Sequence, residues 1–183
     1  RPQTAGEFIL NGDWTPDGKG IYLGRRDPAD GSGVATSRLV YRDLATGVET
    51  ARYSIKAPGV IFLETIAVSR DGSVAMLVTE TDGSRAAVVV PPGDGPARTV
   101  YRVPASQAFS WVGWAGDGKA LYVPERVPAE ASQNVRKLVR VPIDGGAPTD
   151  AGLSLAGMDG TQTSPDGTQL VFVAREQMLE IWA

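Results

Sequence analysis

Trp14-Thr15-Pro16-Asp17-Gly18-Lys19-Gly20-Ile21-Tyr22-Leu23 decides the reading of this chain, because its Asp-Gly bend and the apolar run behind it return three more times. The other copies are Val68-Ser69-Arg70-Asp71-Gly72-Ser73, Trp114-Ala115-Gly116-Asp117-Gly118-Lys119 and Thr163-Ser164-Pro165-Asp166-Gly167-Thr168. An Asp-Gly pair suits a two-residue hairpin, whose central residues need positive φ: Gly accepts it freely and Asp tolerates it. The expectation is therefore four two-residue hairpins, with the aspartates acting as turn formers rather than as catalysts.

Behind each bend, at the same offset from the Asp, lies an apolar strand: Ile21-Tyr22-Leu23, Ala75-Met76-Leu77-Val78, Leu121-Tyr122-Val123 and Leu170-Val171-Phe172. Consecutive apolar positions suit strands covered on both faces. Third strands follow at Arg38-Leu39-Val40-Tyr41-Arg42, Ala86-Ala87-Val88-Val89-Val90 and Lys137-Leu138-Val139-Arg140-Val141. More polar fourth strands are expected at 49–55 and 98–103, with a weaker one near 148–151. The aspartates are spaced by 54, 46 and 49 residues, close to the roughly 40–50 residues of a propeller blade. The fold expected is all-β: a β-propeller of about four four-stranded antiparallel blades, at 7–56, 60–104, 108–152 and 156–183. The last blade stops inside its third strand, and the ring expected around these blades is a larger one of about 6–8.

Composition agrees. Hydrophobic residues make up 42% and charged residues 21%, while 22 Gly and 13 Pro favour turns over long helices. A chain of 183 residues buries about 70% of its extended surface, enough for a substantial core. The net charge is −3 and no segment concentrates Lys or Arg, so nucleic acid is not an expected partner. No apolar run reaches the roughly 20 residues that cross a bilayer, and no signal-peptide pattern opens the sequence. The beginning at Arg1 and the strand-like close at Glu180-Ile181-Trp182-Ala183 suggest a piece of a longer protein.

The stretch from Trp14 to Leu23, and again Ser164-Pro165-Asp166-Gly167-Thr168-Gln169-Leu170-Val171-Phe172, resembles the PD40, or WD40-like, repeat of TolB-like β-propellers. Arg70 and Gly116 stand where that repeat has Pro. The function expected is a non-catalytic scaffold that binds another protein or a ligand, and the resemblance implies a bacterial, periplasmic or otherwise extracytoplasmic setting. It equally allows an accessory propeller attached to a kinase, a regulator or a prolyl-oligopeptidase-like peptidase, since fold alone does not choose.

With no His and no Cys in the chain, Ser-His-Asp and Cys-His catalysis and Cys/His zinc sites are absent. A carboxylate pair acting as in glycosidases stays open as a minor alternative. No residue is assigned a catalytic, cofactor-binding or metal-binding role, and no binding residue is singled out. The loop Arg25-Arg26-Asp27-Pro28-Ala29-Asp30-Gly31-Ser32-Gly33 is oxygen-rich enough to raise calcium, but it lacks EF-hand spacing and reads as a solvated connection. Trp14 and Trp114 occupy equivalent positions and read as core, whereas Trp111 and Trp182 are candidates for exposure. Arg136, Lys137 and Arg140 read as a solvent face, and the loop 124–134, with Glu125, Arg126 and Glu130, as a protruding recognition segment.

Overall fold

In the computed structural model the described residues are 8–58, 62–128, 134–164 and 166–175. The β-branched and aromatic runs become strands, and the Gly- and Asp-rich segments turn the chain between them. The first sheet is a meander of β1 (Phe8–Trp14), β2 (Gly20–Arg26), β3 (Val34–Asp43) and β4 (Glu49–Pro58). Next come β5 (Phe62–Val68), β6 (Val74–Thr79), β7 (Arg85–Val90) and β8 (Arg98–Val103). The third sheet holds β9 (Gly113–Trp114), β10 (Ala120–Arg126), β11 (Val135–Pro142) and β12 (Thr149–Ala156). A fourth sheet pairs β13 (Met158–Thr163) with β14 (Leu170–Ala174). Its third strand, expected around 180–182, lies outside the described residues. Every pairing is antiparallel between chain neighbours, and the sheets follow one another as propeller blades.

The hairpins differ from the expected two-residue form. Thr15 N–H reaches Gly20 O at 3.0 Å while Gly18 N–H reaches Thr15 O at 2.9 Å, so a β-turn sits inside a wider loop. Only the glycine adopts positive φ, +67° at Gly18 and +85° at Gly72; among the described residues the sole non-glycine there is Asn134. Asp is favoured for a different reason than backbone tolerance: its carboxylate ties the loop together. Asp17 Oδ1 accepts from Thr15 Oγ1 at 2.7 Å and Lys19 N–H at 3.0 Å, and Asp166 Oδ1 from Ser164 Oγ at 2.5 Å and Thr168 N–H at 3.0 Å.

Register is not uniform either. Trp14 faces Ile21, Trp114 faces Leu121 and Thr163 faces Leu170, but Val68 faces Val74. The second hairpin closes one residue sooner, Ser69 N–H to Ser73 O at 2.8 Å, so Val74 rather than Ala75 is the structural counterpart of Ile21. A one-residue slip exchanges the faces of a strand. Here the slip costs nothing, because β6 is apolar from Val74 to Val78 and is buried on both sides. Val74, Met76 and Val78 pack toward Tyr22 and Leu39 of the first sheet. Ala75 and Leu77 pack toward Leu121, Val123 and Phe109 of the third-sheet side. The outer strand thought to be weak, near 148–151, extends to Ala156, and Asp150 caps Gly152 N–H at 2.7 Å where that glycine takes positive φ.

These carboxylates predict an acid response. The Ser164 hydroxyl, then the Thr168 backbone and hydroxyl, pull Asp166 down to about 2. Asp17 is lowered chiefly by the Thr15 hydroxyl, and Asp117 chiefly by the Lys119 N–H. A group depressed in the folded state contributes stability that is present above its unfolded pKa and lost as pH falls through the folded value. The melting temperature should therefore drop between about pH 4 and pH 2, the window between an ordinary Asp and these ones. Calorimetry across that window checks it; an Asp166→Asn variant with an unaltered acid slope would remove Asp166 from the account.

Candidate functional site

The inner strands β1, β5, β9 and β13 line one cavity of about 1180 Å³, bordered by Asn11, Asp13, Arg70, Trp111 and Gln162. Side chains staple each inner strand to the next. Asn11 Nδ2 donates to Glu64 O at 2.9 Å, and Val68 N–H donates to Asp13 Oδ2 at 2.8 Å. Trp114 Nε1 donates to Ala67 O at 2.9 Å. Trp111 Nε1 reaches Thr161 O at 2.9 Å, and Thr163 Oγ1 reaches Trp114 O at 2.7 Å. These bonds tie the cavity-lining strands to one another, so the cavity wall is preorganised.

The two equivalent tryptophans part company here. Trp114 is half-buried against the second sheet, whereas Trp14, expected in the core, is 60% exposed. The physical reason is that Trp114 packs on a preceding inner strand, β5, and no described strand precedes β1. Trp114→Ala should therefore destabilise by about 3 kcal/mol, and Trp14→Ala by no more than about 0.5 kcal/mol. Urea titration of both variants compares them directly; equal losses would mean that the two positions share one environment. Trp111, a candidate for exposure, is instead partly buried through its bond to Thr161. Trp182 lies outside the described residues.

The charged loop of the first sheet uses its acids internally. Asp27 pairs with Arg38 at 2.5 Å, Arg25 is buried against Glu49 at 2.5 Å, and Asp30 accepts from Ser32 N–H, Ser32 Oγ and Val34 N–H. The predicted solvent row divides: Arg140 pairs with Asp117 at 2.6 Å, but Arg136 is part-buried and donates to Ser110 Oγ at 2.5 Å. Both lie on β11 opposite β10, but at different ends: Arg140, opposite Tyr122, reaches the Asp117 turn, and Arg136, opposite Arg126, reaches Ser110 in the loop before β9. The expected recognition loop starts later than thought. Pro124 and Glu125 are buried strand residues of β10, Arg126 ends that strand, and Glu130 is outside the described residues.

Glu125, expected in a protruding loop, is buried instead, and its Oε2 accepts from Tyr101 OH at 2.6 Å across the second and third sheets. Burial, then that hydrogen bond, push the Tyr101 phenol well above its ordinary range. Near the channel, partial burial raises Asp71, but hydrogen bonds from Ser69 and Ser73 outweigh it and leave the carboxyl lowered, as is Asp117. A general acid needs the opposite shift.

Successive antiparallel sheets stapled at their inner strands define an arc of β-propeller, and the fold is that of TolB-like and WD40-like propellers. The chain is similar to TolB from Acinetobacter baumannii, at 18% identity and TM-score 0.68, covering 92% of this chain and 38% of that one. It is similar to a putative TolB from Agrobacterium tumefaciens at 24% identity and TM-score 0.57, covering 91% and 53%. A putative dipeptidyl aminopeptidase IV from Bacteroides ovatus matches at 13% identity and TM-score 0.65, covering 91% and 26%. The chain thus spans between about a quarter and a half of these proteins. No model of a sequence family matches, and neither does any curated protein.

Proposed function

We propose that this chain is one segment, 1–183, of a larger propeller that serves as a non-catalytic scaffold, binding another protein at the inner-strand channel. The observation that carries the reading is the channel wall itself. It combines a rigid, side-chain-stapled frame with aromatic and charged groups, Trp111 and Arg70 among them, facing one shared cavity. Such a surface suits recognition, and the carboxylates Asp71 and Asp117 beside it are poised as anions rather than as proton donors. The resemblance to TolB-like repeats supports a bacterial, periplasmic setting. Among the described residues no helix is long and apolar enough to cross a membrane.

A photoreactive side chain at Gln162 tests this against one at Val48, an exposed rim position. The expected result is a captured protein at Gln162 alone, whose affinity, measured with the purified partner, falls at least tenfold on Arg70→Glu. Equal capture at both positions, or no response to Arg70→Glu, defeats the channel as the binding site. The likeness to a peptidase-type structure supports a second reading, in which the propeller gates a catalytic domain elsewhere in the parent protein. That version predicts that deleting the propeller relaxes substrate-size selection while turnover of a small substrate persists.

A further inference from the structure

Antiparallel pairing places Arg126 and Arg136 directly opposite each other at one end of β10 and β11. Like charges in that relation are unfavourable, so the pair demands an explanation. Both Nε–H groups are buried without a hydrogen-bond partner, an arrangement that folded proteins seldom leave uncompensated. Among the described residues, the nearby carboxylates are engaged. Glu64 pairs with Arg85 at 3.0 Å and accepts from Thr79 Oγ1 at 2.7 Å, and Asp159 pairs with Arg175 at 3.1 Å. Glu125 bonds to Tyr101. Arg85 spends one Nη on Phe109 O at 2.5 Å, and Arg136 one on Ser110 Oγ at 2.5 Å. Burial lowers the pKa of Arg136; Asp159 opposes that, and Arg126 and Arg85 add to it, which places all four groups in one electrostatic neighbourhood.

Arg126 and Arg136 are each partly exposed, although their Nε atoms are covered. We propose that Arg126 and Arg136 form a carboxylate receptor, which takes an acidic side chain or a chain-terminal carboxylate of a protein partner. Arg126 and Arg136, opposite each other across β10 and β11, offer one carboxylate the planar guanidinium donors that Lys lacks. The source of the carboxylate rests on the protein-binding reading above; the receptor itself does not.

Arginine Nε–H resonances of the 183-residue chain report the test, in titrations with a capped glycine pentapeptide bearing one central glutamate, its glutamine analogue, and inorganic phosphate. The glutamate peptide should shift the Arg126 and Arg136 signals saturably, and the glutamine analogue should not. Arg136→Lys, which keeps the charge and removes the fork, should weaken binding at least tenfold, while Lys137→Gln leaves it unaltered. If Arg136→Lys perturbs the amide spectrum broadly, Arg126→Lys serves instead. Equal shifts with the glutamine analogue, no shift at all, or phosphate binding tenfold tighter than the peptide each overturn the assignment. Because no partner protein is present, a negative titration leaves the channel-binding reading standing, and failed capture at Gln162 leaves the receptor standing.

Discussion

Phe109→Ala should lower the unfolding free energy by about 4 kcal/mol, the largest loss expected from any single truncation among the described residues. Phe109 has no exposed surface. It sits between the second and third sheets with Leu77, Leu121 and Val123, and stacks on Tyr101 with ring centroids 6.0 Å apart. Removing the ring forfeits its transfer free energy and leaves a cavity that strands stapled on both sides cannot close. Tyr101 would also lose the neighbour that positions its hydroxyl over Glu125, so burial of that carboxylate would become more costly. Urea denaturation measures the change; a loss under about 1 kcal/mol would mean that the inter-sheet layer repacks around the vacancy.

Gly116→Val should cost about 3 kcal/mol, because it forces apart two backbones rather than two side chains. A Cβ at Gly116 would lie 2.4 Å from Gly167 Cα and 2.7 Å from Gly167 O, so the third hairpin would have to move off the fourth. Gly31→Ala is the control, since a Cβ there meets nothing within 4 Å, and it should stay within about 0.5 kcal/mol of the parent. Hydrogen exchange would locate the damage: protection should fall first in β13 and β14, which carry the fourth hairpin. Uniform loss across all sheets would instead implicate the third sheet as a whole.

Gly116 also explains a departure visible in the repeats. Proline belongs at that position in the PD40-like pattern, yet a ring there would strike the neighbouring turn, and glycine is what the approach of Gly167 permits. The substitution was legible in the sequence; its cause was a neighbour 51 residues away along the chain. The two tryptophans teach the same lesson, since Trp14 and Trp114 read identically in their repeats and only the strand beside each distinguishes them.

What the sequence alone determined was the repeating unit: Asp-Gly bends and two-sided apolar runs are local chemistry, and they specify reversal and burial wherever they occur. Only the structure shows the register of β6, set by its shorter hairpin, while tertiary packing decided the exposure of Trp14 and sheet pairing the meeting of Arg126 with Arg136. The reason is physical. A hairpin's closing residue depends on one hydrogen bond more or less, and a side chain's surroundings depend on the sheet next to it, neither of which is written in the spacing of residue types.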